Sequence, residues 1–225
     1  SPLLYEEKGF REESSAKKMM SVLPQQVTIK SCTRKPVKKN APMLFNLAEL
    51  QAECSKLFKI GPDRTLEIAQ SLYEKKLTTY PRTDARVLTT AIATEIKENI
   101  SGIAAYTATA SYVSSILENG WYKGIEKTKY TDDSKVTDHY AIIPTGDITA
   151  LEGLKYDEKG VYELIIRRFL SIFYPAAVYE QITIEMIAGT EHFFTSDKVL
   201  STPGYLEVAG IPRADRAKKD LSAYE

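Results

Sequence analysis

The chain has 225 residues, which is enough to bury a sizeable core in one or two domains. Lysine and arginine together number 30, as do aspartate and glutamate, so the formal net charge is zero. This balance argues against a strongly basic nucleic-acid binder. Contacts with nucleic acid would then come from local basic clusters such as Arg34, Lys35, Lys38 and Lys39. Such a cluster can equally be a solvated loop.

Cysteine usage and hydropathy narrow the class of protein further. Cys32 and Cys54 have no CxxC spacing, so neither a zinc ribbon nor a disulfide framework is indicated, and we expect a reducing cytoplasm. No apolar run reaches the roughly 18 residues of a membrane span, and the start lacks a signal-peptide pattern. Because the chain begins at Ser1 without methionine and closes on a charged segment, we expect both ends to be cuts through a longer polypeptide.

The first 42 residues combine helical and alternating patterns. Apolar spacing predicts a helix over residues 12–22, which Pro24 stops. Alternation over residues 27–33 predicts a strand with one wetter face. The basic, proline-containing residues 34–42 are interpreted as a linker.

The middle of the chain shows the period of amphipathic helices. Helices are predicted from about residue 46 to Gly61-Pro62, over 64–76, from a cap at Thr89 or Thr90 to Gly102, through 113–117 up to Asn119-Gly120, and over 157–173 before Pro175. The polar stretch 121–136 lacks apolar periodicity and is interpreted as an extended connection.

From Glu180 the period changes to the alternation of strands. A hairpin turn is predicted at Gly189-Thr190, a return strand from Phe193, and a further strand over 205–208.

The early strand at residues 27–33 has no local partner, so we expect it to pair with this C-terminal sheet. The predicted fold is α+β, with a helical domain inserted into a discontinuous antiparallel β domain. The predicted bounds are residues 1–40 and 179–225 for the β domain and 41–178 for the helical domain.

A phenol, a guanidinium, a hydroxyl and a carboxylate share one turn-like segment, Tyr80-Pro81-Arg82-Thr83-Asp84. Pro81 favours extended geometry at Tyr80, so a loop just past a helix end presents the phenol. A guanidinium two residues away favours the phenolate and can pair with a phosphate oxygen, which suits attack on a phosphodiester. The same residues also fit a loop tyrosine beside a surface ion pair of Arg82 with Asp84.

Two motifs carry a resemblance to a known family. The segment Leu-Thr-Thr-Tyr-Pro-Arg-Thr-Asp at 77–84, preceded by Leu72-Tyr73-Glu74, resembles the active-site segment of type IA DNA topoisomerases. The segment Asp-His-Tyr-Ala-Ile-Ile-Pro-Thr at 138–145 resembles the His-containing motif of that family. The resemblance covers nearly the whole chain and is closest to the bacterial topoisomerase III branch.

The resemblance implies specific roles for site residues. Tyr80 would form a transient bond to a DNA 5′ phosphate, and Arg82 and His139 would contact that phosphate. Thr83, Asp84 and Asp138 would support them. The resemblance also implies a helical domain that carries the tyrosine within a β arch domain. Two other positions are set apart from these roles: Tyr140 departs from the second His or Glu that is common in the family, and His192 is interpreted as structural.

Family members use Mg²⁺ held by acidic residues of a separate toprim fold. Nothing here resembles its Glu and Asp-x-Asp arrangement, and the adjacent pair Asp132-Asp133 is not assigned to a metal. The resemblance therefore implies no cofactor or metal site in this chain, Mg²⁺ for the full-length enzyme, and an inactive isolated piece.

The implied partners are single-stranded DNA and the toprim and remaining domains of the same polypeptide, with no membrane. The implied location is the cytoplasm, in association with the nucleoid. A non-catalytic DNA-binding or scaffold module of the same fold is the alternative. A tyrosine recombinase needs a wider set of Arg and His residues, which we do not find.

Overall fold

A computed structural model of the protein describes residues 4–5, 9–24 and 26–216. In chain order its strands and helices are β1 (Leu4–Tyr5), α1 (Glu13–Val22), β2 (Thr28–Lys39), α2 (Leu47–Phe58), α3 (Pro62–Glu74), α4 (Thr90–Gly102), α5 (Ala110–Asn119), α6 (Tyr156–Ser171), β3 (Ala177–Ala188), β4 (Glu191–Thr202), α7 (Leu206–Ala209) and α8 (Arg213–Arg216). The predicted α+β class is confirmed.

The strands form one antiparallel sheet in the order β1-β4-β3-β2. The two-residue loop Gly189-Thr190 joins β3 to β4, and Gly189 has a φ of 66°, in the left-handed region that glycine enters without steric cost. The predicted hairpin turn is therefore confirmed.

Strand β2 pairs with β3 along its length, and Lys39 at its end lies opposite Ala177. Pairing of the first strand with the C-terminal sheet is confirmed. The linker prediction for residues 34–42 is wrong because residues 34–39 continue β2. Pro36 is accommodated because β2 ends the order of the described strands, and an edge strand tolerates a missing N–H.

The chain divides into two compact units. The β unit consists of Ser1–Lys39, Ala177–Pro203 and Ile211–Glu225, and the helical unit of Asn40–Ala176 and Gly204–Gly210. Since β2 and β3 are neighbours, the helical segment leaves and re-enters the sheet between two adjacent strands.

Local signals set the helix ends of the helical unit. The hydroxyl of Thr89 accepts a hydrogen bond from the N–H of Ile92 at 3.3 Å and caps α4, as predicted. Gly120 ends α5 in the left-handed conformation, which also confirms the predicted stop. No helix of the described ranges is both long and apolar enough to cross a membrane.

The core of the helical unit lies where α3 packs on α6. Ile68 and Leu72 of α3 and Val161, Ile165 and Phe169 of α6 are all at most 1% exposed. Burying one such side chain stabilises the folded state by about 1.5 to 3 kcal/mol, so this helix pair gives stable support to the loop that follows α3.

Two further predictions are wrong. The stretch 121–136 is not extended, because it contains 3₁₀ helices at Ile125–Lys127 and Asp133–Lys135. Residues 205–208 do not form a strand: the N–H groups of Val208 and Ala209 both bond back to the carbonyl of Tyr205, which makes a helical turn.

The end of α4 packs directly on the backbone of residues 144–146. A Cβ on Gly102 would overlap the backbone of Gly146, whose own φ of 97° favours glycine. One turn earlier, the side-chain amide of Asn99 donates to the carbonyls of Pro144 at 3.0 Å and Thr145 at 3.2 Å. This helix end therefore fixes the path of the segment that follows His139.

A buried carboxylate ties the start of α6 to the end of α3. The hydroxyl of Ser71 and the ammonium of Lys75 each donate to Glu158 at 2.6 Å, and the N–H of Lys155 donates at 2.8 Å. Burial by itself would raise the pKa of this carboxyl, but the three donors lower the pKa to about 2.

We expect Glu158→Gln to weaken the fold in a pH-dependent way. Because the folded pKa of about 2 lies below the ordinary value of 4.5, the charged group stabilises the fold above pH 4.5 and loses that effect as pH falls toward 2. The variant should lose on the order of 3 kcal/mol of unfolding free energy at neutral pH.

Urea unfolding across the acid range measures this effect. The wild-type chain should lose stability between pH 4.5 and 2, and the variant should show a flatter profile. Glu152→Gln is the matched control because Glu152 is exposed. Parallel profiles for wild type and Glu158→Gln would contradict the assignment.

Candidate active site

Tyr80 lies in a loop just past the end of α3, as predicted. Lys76 reverses the chain with a φ of 61°, and its N–H bonds to the carbonyl of Tyr73 at 2.8 Å. The N–H of Leu77 bonds to the carbonyl of Leu72 at 3.0 Å. This hydrogen-bonded turn sets the direction in which the chain approaches Tyr80.

The two sequence motifs run side by side in the structure. We name residues 77–84 the tyrosine segment and residues 138–145 the histidine segment. The hydroxyl of Thr79 donates to the carbonyl of Ala141 at 2.9 Å and accepts from the N–H of Ile143 at 3.0 Å. The N–H of Thr79 also donates to the carbonyl of Ile143 at 3.0 Å. The residue before Tyr80 is thus fixed by three hydrogen bonds.

A second threonine links the tyrosine segment to the histidine segment on the other side of Tyr80. Thr83 is 7% exposed, and its hydroxyl donates to the carbonyl of His139 at 2.7 Å while accepting from the N–H of Ala85 at 3.1 Å. At the other end, the N–H of Thr145 donates to the carbonyl of Leu77 at 3.1 Å. Hydrogen bonds between the two segments therefore fix the chain both before and after Tyr80.

Residues just before α2 complete the support. The side-chain amide of Asn46 donates to the carbonyl of Asp84 at 3.1 Å, and the N–H of Ile142 donates to the carbonyl of Phe45 at 2.8 Å. Both segments of the site are consequently anchored to the start of the helical unit.

The rings of Tyr80 and His139 are in contact. Their centroids are 4.4 Å apart with an interplanar angle of 42°, and Tyr73 packs edge-on against Tyr80 at 5.3 Å. These three side chains, with Lys76 and Thr145, border an open cleft of about 490 Å³. This volume lies within the range of small-molecule sites.

The remaining predicted site residues lie outside this ring contact. Arg82 is exposed, does not border the cleft, and forms no hydrogen bond or ion pair within the described part of the chain. Asp84 and Asp138 are also exposed, and their carboxylates bond neither to Arg82 nor to His139. The structure therefore brings together Tyr80, His139 and Thr83, whose hydroxyl bonds to the carbonyl of His139, and the roles of all six predicted residues stay predictions.

Two residues of the site were missed by sequence reasoning. Helical spacing places Tyr73 on the same face of α3 as Ile68 and Leu72, but Tyr73 is 40% exposed and packs on Tyr80. An aromatic residue at the end of a helix, shortly before a loop tyrosine, is the available signal. In the sequence, only the position next to Tyr80 marks Thr79 as a site residue, because its hydrogen bonds are made to a segment about 60 residues away.

The described residues contain no cluster of potential metal ligands. No group of three His, Cys, Asp or Glu residues among them could hold a metal ion. Asp133 accepts bonds from the N–H and hydroxyl of Thr90 and so caps α4. Asp132 is bound to Ser134 and Lys135. Both carboxylates therefore have structural partners.

Comparison with known proteins identifies the family. Residues 4–225 match the family model described as DNA topoisomerase. The DNA topoisomerase 3 of Bacillus subtilis is 33% identical over 213 residues, which are 94% of this chain and 29% of that protein. That of Bacillus licheniformis is 37% identical over 178 residues, or 78% of this chain and 24% of that protein. The chain belongs to the DNA topoisomerase family, within its type IA class.

Both relatives carry the name DNA topoisomerase 3, which confirms the predicted likeness to that branch. Full-length topoisomerase I from Thermotoga maritima shares the fold with a TM-score of 0.61 at 22% identity, over 94% of this chain and 34% of that one. The chain spans less than a third of the length of these Bacillus relatives.

Replacing a threonine by valine should show that the hydrogen bonds of the Thr83 hydroxyl stabilise the fold, whereas the nearby buried hydroxyl of Thr78 does not. Thr83→Val leaves the carbonyl of His139 and the N–H of Ala85 without a partner, so we expect a loss of about 1 to 3 kcal/mol of unfolding free energy. Thr78 is the matched control because its buried hydroxyl has no partner among the described residues. Thr78→Val should be neutral or stabilising in urea unfolding; equal losses in both variants would refute this assignment.

Proposed function

We propose that this chain provides the nucleophile of a type IA topoisomerase that cleaves and rejoins one DNA strand through Tyr80. The observation that supports the proposal is the contact between the Tyr80 and His139 rings at the border of an open cleft. A tyrosine presented beside a second polar ring, on segments held by the hydrogen bonds of Thr79 and Thr83, suits covalent catalysis.

In the proposed step, the phenol oxygen of Tyr80 attacks the phosphorus of a DNA phosphodiester. The P–O3′ bond breaks, the phosphate stays on the 5′ side as a phosphotyrosyl ester, and the phenolic proton is transferred to the released 3′ oxygen. The ester preserves the energy of the broken bond, so the 3′ hydroxyl can attack it and reseal the strand without ATP. Passage of DNA through the break would change its topology by relaxation or decatenation.

Arg82 and His139 are assigned to the phosphate. The guanidinium of Arg82 is exposed and has no ion pair among the described residues, so it is available to bind a non-bridging oxygen. His139 contacts the Tyr80 ring, and as an imidazolium it can donate a charge-assisted hydrogen bond to the same phosphate. Thr83 holds the carbonyl of His139, while Asp84 is assigned a supporting role.

Asp138 is the last residue assigned to support, through its charge beside His139. Among the described residues, no group of three or more His, Cys, Asp or Glu could hold a metal ion. We therefore propose that a toprim fold elsewhere in the full-length polypeptide holds the metal. The chain spans only part of the length of the Bacillus subtilis relative, which is consistent with that proposal. Single-stranded DNA is the proposed substrate.

A trapping assay on the full-length parent tests the nucleophile. With a labelled single-stranded oligonucleotide, Tyr80→Phe should abolish the covalent adduct because the attacking oxygen is gone. Tyr73→Phe is the matched control: it keeps the ring that packs on Tyr80 and should preserve the adduct. A persisting adduct in Tyr80→Phe would refute the proposal. No adduct in the wild type, with oligonucleotide binding intact, would indicate the non-catalytic module.

The phosphate contacts should affect rate more than folding. Arg82→Ala or His139→Ala should slow adduct formation by roughly 10²- to 10³-fold, the usual effect of one lost donor to developing charge. Both side chains are exposed, so urea unfolding should change little. Rates within twofold of wild type would remove these residues from the mechanism.

The 225-residue chain alone should not relax DNA. Incubated with negatively supercoiled plasmid and Mg²⁺, it should leave the topoisomer distribution unchanged, because the toprim fold that is proposed to hold the metal would lie elsewhere in the full-length polypeptide. An agarose gel of the topoisomers is the measurement. Relaxation by the purified chain, absent in its Tyr80→Phe variant, would contradict this expectation.

A further inference from the structure

A second cavity of the helical unit lies beside the end of α5 and has about the same volume, 490 Å³. One of its lining residues is Trp121, the only tryptophan of the chain. The N–H of Trp121 bonds to the carbonyl of Ile116 at 3.1 Å, and the N–H of Gly120 bonds to that of Leu117 at 3.3 Å. This pair of bonds is a Schellman motif, which fixes the direction in which the indole leaves the helix.

Aromatic rings form the walls and floor of this cavity. Tyr174 packs edge-on against Trp121 with the ring centroids 4.8 Å apart. Tyr130 and Phe173, which are 6% and 4% exposed, lie at its base, and the hydroxyl of Tyr130 donates to the carbonyl of Ala41 at 2.8 Å. Trp121 and Tyr174 are only half-buried, so their rings are accessible from the cavity.

Cations border the same cavity. Lys129 donates to the carbonyl of Ala41 at 3.2 Å and lies 5.0 Å from the centre of the Tyr130 ring, so its position is defined. Lys123 is exposed, and its ammonium has no hydrogen bond or ion pair in the described ranges. Two carboxylates lie next to lining residues: Glu126 follows Ile125 in the sequence, and Glu207 acts electrostatically on Tyr174. Neither of these carboxylates borders the cavity.

We propose that this cavity binds single-stranded DNA by stacking one base on Trp121, whose indole is supported edge-on by Tyr174, and by pairing the adjoining phosphates with Lys123 and Lys129. Accessible aromatic rings beside cations are the combination by which proteins hold unpaired nucleotides. A duplex presents its bases already stacked, so it cannot offer one to these rings. The site rests on the proposed function only in taking DNA as its ligand, and it shares no bordering residue with the Tyr80 cleft.

The fluorescence of Trp121 provides a direct test in the 225-residue chain. Titration with a short oligodeoxythymidylate should give saturable quenching that weakens as salt rises. A duplex of mixed sequence should quench far less at the same phosphate concentration. No quenching by the single strand, or equal quenching by the duplex, would overturn the inference.

Two lysines of one loop provide matched variants. Lys123→Glu should weaken the quenching affinity at least roughly fivefold and reduce the salt slope by about 1, since Lys123 borders the cavity. Lys127→Glu makes the same charge change at an exposed position that does not border the cavity, so its effect should be markedly smaller. Equal effects of the two variants would mean diffuse electrostatic attraction without a site.

Anisotropy of a labelled oligonucleotide extends the test to the rings themselves. Trp121→Ala should weaken binding roughly 5- to 150-fold, the effect of losing one stacked base, and Trp121→Phe should restore part of it. Tyr80→Phe should leave the Trp121 quenching as it is. Loss of quenching in Tyr80→Phe would assign the oligonucleotide to the Tyr80 cleft and overturn the inference, whereas a missing covalent adduct would concern the proposed function alone.

Discussion

The hydrogen-bonded contact between the tyrosine and histidine segments is the constraint on which the site depends. About 60 residues separate these segments in sequence, yet Thr79 and Thr83 connect them on both sides of Tyr80. Each threonine hydroxyl both donates and accepts a hydrogen bond, so neither is left unpaired in this partly buried strip of backbone, where an unpaired polar group would cost stability. The ring contact of Tyr80 with His139 follows from this strip.

The rest of the helical unit keeps the strip in place. Glu158 connects α6 to the last turn of α3, directly ahead of the reversal at Lys76. Asn99 and the start of α2 hold the outer sides of the two segments. Polar anchors of this kind act on top of the apolar packing of α3 on α6, which supplies most of the stabilisation. The covalent mechanism proposed for Tyr80 would require such rigid support, because the attacking oxygen would have to remain aligned with the phosphorus.

Much of this architecture could be predicted from the sequence, because its signals are local. The caps at Thr89 and Gly120 and the turn at Gly189 depend on neighbouring backbone alone. Residues 34–39 were misassigned because lysine and proline suggest a linker, and only pairing with β3 makes them a strand. Residues 205–208 were misassigned because four apolar-rich residues cannot distinguish a helical turn from a strand.

The same distinction applies to the site. The motif residues Tyr80 and His139 could be identified from sequence, and the structure places their rings in contact. The partner of Thr83 could not be identified, since nothing in the tyrosine segment specifies the distant carbonyl that accepts its bond. The expected pairing of Asp84 with Arg82 also relied on closeness in sequence, whereas both side chains are exposed and unpaired within the described ranges.

The close approach of Gly102 to Gly146 has a consequence for how this protein can vary. The path that begins at His139 is pinned at its start by Thr83 and at its far end by a helix terminus without room for a methyl group. An insertion or deletion between these two points would shift the imidazole away from the phenol. Length changes are therefore excluded from that stretch, and a side chain could enter at Gly102 only if the opposing loop were rebuilt at the same time.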